Sequence, residues 1–281
     1  MMLKILSKYN IDSFAFIDAK NCKVGNLRLH STLPEECNVI FMLFPYFSGN
    51  CDKKISAYGA VHDYHFFAKE LFSDLENYFL ENYPESFTKG YADHSPFLEC
   101  EGAAAAGLGV LGDNSLLITK KYSSYVFIGE LITTVSREEL ISLGIPEGDG
   151  NIDTCIHCGA CKSACPSKCA GGTDRSNCIS SVTQKKGALT YDEIQIIKNG
   201  GSIWGCDICQ ESCPYTKKAK EENTIYTPIE FFRRSYLGID PEKKIPLMGK
   251  DDFERYPFAW RKRATIERNI NLLFHGEKDN G

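Results

Sequence analysis

Hydrophobic residues occur in short blocks along the first half of the chain, and their spacing predicts both strands and helices. Residues 13–17 (SFAFI) and 38–45 (NVIFMLFP) are rich in β-branched and aromatic side chains, which is typical of buried strands. Residues 122–135 form a third strand-like block. Between residues 63 and 82 the apolar positions follow helical spacing, and Asp63 could cap the start of that helix. These positions are Phe67, Leu71, Leu75, Tyr78 and Phe79.

The strongest chemical signal in the sequence is a run of cysteines, CIHCGACKSACP, at residues 155–166. Its spacing, C-x2-C-x2-C-x3-C-P, is that of bacterial ferredoxins, in which three thiolates hold one iron-sulfur cluster and the fourth binds a second cluster. A second run, CDICQESCP, begins at Cys206, and Cys178 lies between the two runs. The spacing therefore predicts two clusters.

Eight cysteines suffice for two 4Fe-4S clusters, because each cluster takes four thiolates. We assign Cys155, Cys158, Cys161 and Cys213 to the first cluster and Cys165, Cys178, Cys206 and Cys209 to the second. Structural zinc and a disulfide framework are the alternatives, since zinc also binds C-x2-C pairs and small secreted domains use paired cysteines. Neither alternative explains why both runs end in C-x3-C-P. Cys169 has no assigned partner.

Composition places the chain among ordinary globular proteins. It has 281 residues, 43% of them hydrophobic and 25% charged, with a net charge of −5. No apolar run is long enough to cross a bilayer, so we expect a cytoplasmic protein with no membrane partner. Thirteen thiols in a reducing compartment are better explained by metal ligation than by disulfides. Four cysteines outside the runs are expected to be small buried apolar residues; they are Cys22, Cys37, Cys51 and Cys100.

The pattern predicts three parts. A linker rich in glycine and proline, residues 143–150, marks the first boundary. We predict an α/β (α+β) domain over residues 1–150, a ferredoxin-like double-cluster domain over residues 151–220 and a helical tail over residues 221–281.

The segment GLGVLG, residues 107–112, fits the G-x-G-x-x-G pattern of dinucleotide sites. Such a site should follow a strand and open a helix, whereas a helix-forming run of four alanines precedes this one. A tight turn is the better interpretation.

Several motifs taken in order resemble the epoxyqueuosine reductase family. They are HDYH from His62, DHSP from Asp93 with Glu99, the stretch from Ala106 to Asn114, FIGEL from Phe127, the first cysteine run, CIS from Cys178 with Thr183 and Gly187, GCDICQ from Gly205, and AWRKRATIERN from Ala259. The resemblance runs from near Ile55 to near Leu272.

This resemblance implies a cobalamin-dependent oxidoreductase with two 4Fe-4S clusters, which reduces epoxyqueuosine to queuosine in tRNA. Residues 1–150 would then bind cobalamin and carry the catalytic residues. Removing the epoxide oxygen needs two low-potential electrons, which clusters can deliver, and a proton for the departing oxygen. The family's proton donor is the aspartate of its D-x-S-P motif, which corresponds to Asp93. Without the resemblance, a turn or helix cap would be the simpler role for Asp93.

By the same transfer, Ser56, Ser180 and Asp207 are expected to contact cobalamin, and Lys185, Lys186 and Arg263 are candidate contacts for tRNA phosphates. DYHFFA, from Asp63, differs from the D-x-H-x-x-G signature of cobalt-ligating histidines at Ala68, so Asp63 and His65 are interpreted as residues of a helix start. We expect the partners to be tRNA carrying epoxyqueuosine and an external low-potential electron donor, and the protein to be a monomer.

Two features depart from the family pattern. Asp113 stands where the family usually has lysine, and the chain looks like a short form without the helical repeats that some members append for tRNA binding. Two other functions therefore stay open: a divergent corrinoid-dependent iron-sulfur reductase of a small molecule, and a non-catalytic iron-sulfur electron carrier.

Overall fold

The computed structural model describes residues 2–49, 54–172, 174–238 and 240–275. The chain forms two compact units. The sheet unit comprises Met1–Pro45 and Tyr64–His157, and the cluster unit comprises Tyr46–Asp63 and Cys158–Gly281. The predicted division into residues 1–150, 151–220 and 221–281 stays a prediction about domains; the two units group the tail with the cysteine-rich segment and with the excursion Tyr46–Asp63.

A four-stranded antiparallel sheet forms the centre of the sheet unit, in the order β1-β2-β6-β3. Its strands confirm all three predicted blocks. They are β1 Phe14–Asp18, β2 Asn38–Pro45, β3 Thr88–Ala92 and β6 Val126–Thr133. Two short strands, β4 Val110–Leu111 and β5 Leu117–Ile118, pair separately. Because the sheet is antiparallel, the mixed α/β class is realised as α+β.

Five α-helices lie in the described part of the sheet unit: α1 Met2–Lys8, α2 Leu27–His30, α3 Tyr64–Asn82, α4 Glu99–Ala105 and α5 Arg137–Ser142. The predicted helix at residues 63–82 is α3, with Asp63 immediately before it. Cys22 and Cys37 are buried in the core as predicted, whereas Cys100 is half-buried and packs against it. Cys51 lies outside the described residues.

Strand β2 is apolar from residue 39 to its end because both of its faces are covered there. Phe44 contacts the rings of Phe67 and Phe72 on α3, with centroids 5.2 and 6.4 Å apart. On the other face, Phe41 packs so closely on α4 that a Cβ at Gly102 would lie 2.3 Å from its ring. A strand buried on both faces shows no alternation of polar and apolar residues. This explains why residues 39–45 form a continuous apolar run.

The described part of the cluster unit contains short helices and no paired strands longer than an isolated bridge. The helices are α6 Ala160–Ala164, α7 Ile179–Thr183, α8 Tyr191–Gly200, α9 Ile208–Glu211, α10 Pro214–Glu221, α11 Glu230–Arg234, α12 Pro241–Leu247, α13 Lys250–Phe253 and α14 Arg263–Ile270. Thr190 and Glu193 form a capping box at the start of α8. Trp204, Phe258 and Ile266 form part of the core of this unit. Across the described residues of both units, no helix is long and apolar enough to cross a membrane.

The glycines at positions 107, 109 and 112 follow helix α4 rather than a strand. Gly107 has a φ of +78°, and a Cβ at Gly109 would lie 2.7 Å from the carbonyl oxygen of Ile118 on β5. Both observations agree with a tight turn and close backbone approach. A dinucleotide fingerprint would require the opposite order of strand and helix.

Candidate active site and cluster-binding region

Asp93 is the first residue after β3 and has an exposed side chain on a left-handed backbone, with a φ of +65°. Its backbone N–H donates to Oε1 of Glu99, the first residue of α4, at 2.8 Å. The left-handed conformation is uncommon for a residue other than glycine, and aspartate tolerates it better than most. The β3–α4 loop is therefore tied at the residue predicted to be the proton donor.

Two further carboxyl groups, those of Glu99 and Glu130, accept hydrogen bonds from residues of this loop. Burial, and next the nearby Asp93 carboxylate, raise the pKa of Glu99 to about 7. Glu130, on β6, is fully buried, and burial raises its pKa to about 8. The hydroxyl of Ser95, from the D-x-S-P motif, donates to Oε2 of Glu130. A carboxyl kept out of water favours its protonated form, so Glu130 holds a proton at neutral pH.

Oε1 of Glu130 has no hydrogen-bond partner among the described residues. An unpartnered oxygen on a fully buried carboxyl is costly unless a proton, a water or a ligand satisfies it. In the sequence, Glu130 is only part of the FIGEL motif, and no role is assigned to it there. An acid inside an apolar strand block was the signal that could have singled out Glu130 as a functional candidate.

In the cluster unit, the structure brings together the three residues predicted to contact cobalamin. The N–H of Ala57, next to Ser56, donates to Oδ2 of Asp207 at 2.6 Å. Gln184 donates from Nε2 to the hydroxyl oxygens of Tyr58 and Ser180, at 3.0 and 3.2 Å. Burial raises the pKa of Asp207 to about 7 and raises that of Tyr58 as well. Tyr58 and Gln184 are members of this group that the sequence did not indicate.

This group, which we call the Ser56 cluster, consists of Ser56, Tyr58, Ser180, Gln184 and Asp207. Ser56 Oγ and the neighbouring Nε1 of Trp204 are buried close to the Tyr58 hydroxyl, and neither completes a well-formed hydrogen bond among the described residues. Gly205 approaches Ser56 so closely, with a φ of +70°, that a Cβ there would lie 2.0 Å from Ser56 Oγ. Buried polar atoms without well-formed hydrogen bonds are typical of ligand sites whose ligand is not present. The Ser56 cluster thus has the donors and acceptors to hold a polar cofactor.

Two cysteines of the cluster unit, Cys165 and Cys206, receive backbone N–H groups of the kind found around iron-sulfur clusters. Burial alone would raise the pKa of Cys165, but the backbone N–H groups of Ala170, Cys169 and Ser167 outweigh it and lower that pKa. A backbone N–H of Ile208 acts in the same direction on Cys206, whose pKa burial nevertheless raises to about 12. N–H groups directed at cysteine sulfur are among the interactions that tune iron-sulfur clusters. The donor set fits the predicted cofactor.

Cys155 lies in the sheet unit, where it is linked to Asp113. The N–H of Asp113 donates to Cys155 Sγ at 3.4 Å. Oδ1 of Asp113 lies 2.7 Å from Nδ1 of His157, whose Nε2 lies 3.0 Å from Thr154 Oγ1. The acid at this unusual position therefore has a structural partner, the histidine of the first cysteine run. The sequence could not show this pairing, because 44 residues separate Asp113 from His157.

Comparisons with known proteins agree with this chemistry. Residues 154–216 match the family model of the 4Fe-4S double cluster binding domain. A curated epoxyqueuosine reductase of Cellulophaga algicola is 31% identical over 224 residues, which cover 78% of this chain and 70% of that protein. The chain belongs to the epoxyqueuosine reductase family. The resemblance identified from the motifs is thereby confirmed.

Two further comparisons with the epoxyqueuosine reductase family concern the length of the chain and its fold. The epoxyqueuosine reductase of Listeria monocytogenes is 29% identical over 77% of this chain, but the match covers only 55% of that relative. The chain thus spans about half the length of several of its relatives. The crystal structure of epoxyqueuosine reductase with a tRNA-Tyr epoxyqueuosine-modified stem loop has a TM-score of 0.72, 20% identity and coverage of 98% of this chain and 80% of that one. This likeness confirms the predicted fold.

Proposed function

We propose that the chain is an epoxyqueuosine reductase, which reduces epoxyqueuosine to queuosine in tRNA with cobalamin and two 4Fe-4S clusters. One observation carries the proposal. This chain has the double-cluster domain of the family, and it also holds Asp93 in a loop whose backbone is hydrogen-bonded to Glu99. An electron carrier would need the cysteines but not this loop.

The reaction defines what the chain must provide. An epoxide becomes an alkene and water when it gains two electrons and two protons. Bound cobalamin and the clusters would supply the electrons, which no side chain here can deliver. The protein's own task is to bind the base, exclude water and deliver protons to the departing oxygen.

Asp93 is the proposed donor of the first proton. Its exposed carboxyl stands at the start of a loop whose backbone is held by the hydrogen bond to Glu99. The pKa values of Glu99 and Glu130 are raised to about 7 and about 8, so these carboxyl groups are suited to hold protons next to the β3–α4 loop near neutral pH. A general acid works best when its pKa, or that of its proton source, lies near the working pH.

For cobalamin, the Ser56 cluster is the proposed contact surface on the cluster unit. The buried Ser56 Oγ and the buried Asp207 carboxyl offer hydrogen bonds to the amide side chains of a corrin. Ser180 lies two residues after the proposed cluster ligand Cys178, and Asp207 lies between Cys206 and Ile208. A cofactor held by these residues would lie near cluster ligands, as electron transfer requires.

The proposed partners are a tRNA that carries epoxyqueuosine and an external low-potential electron donor, with the protein acting as a monomer. Two of the predicted phosphate contacts already have interactions in the protein. Lys185 pairs with Glu193, and Arg263 donates to the carbonyl oxygens of Ile245 and Met248 at 3.1 and 2.8 Å. Lys186 is exposed, so among these three basic residues it is the proposed phosphate contact.

The first experiment is the EPR spectrum of cob(II)alamin mixed with anaerobically reconstituted protein. The family resemblance implies that no protein histidine binds cobalt, so we expect the nitrogen coupling of cobalt's lower ligand to disappear. A spectrum of free cobalamin in protein that contains both clusters would contradict the reductase proposal and favour an electron carrier. Cobalamin binding without activity on modified tRNA would favour a corrinoid reductase of a small molecule.

A further inference from the structure

A fifth thiol stands among the four cysteines assigned to the second cluster. Cys169 follows Cys165 by four positions, and their Sγ atoms lie 3.6 Å apart. Cys178, another assigned ligand, is also close enough to act on the Cys169 thiol. A 4Fe-4S cluster takes four cysteines, so one of the five thiols in this region is surplus.

The separation of the two sulfur atoms indicates how they are related. Two thiolates that bind one tetrahedral metal ion, each at about 2.3 Å, lie roughly 3.8 Å apart. A disulfide needs about 2.05 Å. At 3.6 Å the two thiols can share an S–H···S hydrogen bond, and the distance is also close to that between two sulfurs that reach one metal atom. Since each iron of a 4Fe-4S cluster takes one cysteine, only one of these two sulfurs could bind an iron that lies within reach of both.

The local backbone allows either the Cys165 sulfur or the Cys169 sulfur to act as the iron ligand. A turn in which the N–H of Lys168 donates to the carbonyl of Cys165 at 3.1 Å brings Cys169 back towards Cys165. A second turn follows, in which the N–H of Gly172 donates to the carbonyl of Cys169 at 3.1 Å. None of the described residues in 151–178 is buried, so no apolar core fixes this loop against a small shift.

We propose that Cys169 is an alternative ligand of the second cluster, which binds the iron of Cys165 when the Cys165 thiolate leaves. In the exchange, the Cys165 thiolate dissociates and takes up a proton while the Cys169 thiol loses one and binds iron, so no electron is transferred. The inference rests on the cluster assignment within the proposed function. It would give this chain a cluster with a replaceable ligand.

The test uses the full chain, anaerobically reconstituted, with iron and sulfide content and the EPR of the reduced protein as readouts. The variants are Cys165→Ala, Cys169→Ala and the double variant, with Cys206→Ala as the matched control. We expect each variant at 165 or 169 alone to keep both clusters, with an altered EPR signal for Cys165→Ala. The double variant and Cys206→Ala should lose the second cluster, or retain it only as a three-iron form.

If Cys165→Ala loses the cluster as completely as Cys206→Ala does, Cys169 is not a ligand. If Cys206→Ala keeps both clusters, the underlying assignment is wrong, and the inference is overturned with it. Alkylation gives a second readout that does not depend on iron content. In the clustered wild-type protein Cys169 should react with iodoacetamide, and in Cys165→Ala it should become protected; continued reaction there would also refute the proposal.

Discussion

The sheet unit and the cysteine segment are ordered by different forces. In the sheet unit, β2 is buried on both faces and the core continues through α3 and α4. In the cysteine segment, none of the described residues from 151 to 178 is buried, and α6 has five residues. In the sheet unit, apolar burial offsets the loss of chain entropy on folding. In the cysteine segment, we expect metal ligation to offset most of it.

This difference predicts that the proton-delivering and electron-carrying parts of the proposed function can be disrupted separately. In the proposed function, protons would come from carboxyl groups on the elements of the apolar sheet unit. Electrons would enter through cysteines in a segment without a buried core of its own. A change in one region should therefore leave the other intact. The following predictions test that separation, from the largest expected effect to the smallest.

Removal of iron should have the largest effect, because it removes the metal ligation expected to order residues 158–178; Asp153 and Cys155 also hydrogen-bond to Leu111 of β4. We expect amide exchange at residues 158–178 to become nearly as fast as in an unfolded chain, while β2 and β6 keep their protection. Hydrogen-deuterium exchange with mass spectrometry, before and after anaerobic chelation, measures both regions in one sample. Simultaneous loss of protection in β2 and β6 would show that the regions are not separable.

Asp93→Asn should lower turnover by about 10² to 10⁴-fold, the usual contribution of a general acid. Cluster content and cobalamin binding should not change, since Asp93 is neither a proposed cluster ligand nor a member of the Ser56 cluster. Single-turnover rates and iron content measure the two effects. Glu101→Gln is the matched control, because Glu101 lies in α4 as Glu99 does and pairs with the exposed Lys23 at 3.4 Å. Turnover that is equal in both variants would remove Asp93 as the proton donor.

Gly205→Ala should destabilise the cluster unit by roughly 2 to 4 kcal/mol. It would combine a φ of +70° with a Cβ 2.0 Å from Ser56 Oγ. Gly201→Ala is the control for backbone strain alone, because Gly201 has a φ of +64° with nothing within 4 Å of its Cβ; about 1 kcal/mol is expected there. Chemical denaturation of the reconstituted protein measures both. Equal losses would mean that the approach to Ser56 contributes nothing.

The smallest predicted effect is a pH dependence of stability from Glu130. Its folded pKa of about 8 lies above the usual carboxyl range, so the folded state binds more protons than the unfolded state between those values. Stability should fall as pH rises from 6 to 8, by about 2 kcal/mol at most. Glu130→Gln should reduce this slope and leave the part due to Glu99 and Asp207, whose pKa values are raised to about 7. Glu101→Gln should keep the whole slope, as judged from urea midpoints. An unchanged slope in Glu130→Gln would assign it to other groups.

Local patterns predicted what depends on neighbouring residues in the chain. The apolar run of β2, the spacing of α3 and the positions of the cysteine runs follow from periodicities of two, of 3.6 and of ligand motifs. Contacts between distant residues could not be predicted in this way. The pairing of Asp113 with His157 and the close approach of Gly205 to Ser56 depend on how loops pack, which no periodicity encodes. The burial of Glu130 falls between these cases, because an acid in an apolar strand hinted at it.

The central claim is tested most directly by a single turnover on an anaerobic tRNA stem loop that carries epoxyqueuosine. The protein would contain both clusters, cobalamin and a low-potential chemical reductant, and the base would be analysed by mass spectrometry. We predict loss of one oxygen atom from the base by the wild-type protein and almost none by Asp93→Asn. An unchanged base in protein shown to hold reduced clusters and cobalamin would contradict the proposed function.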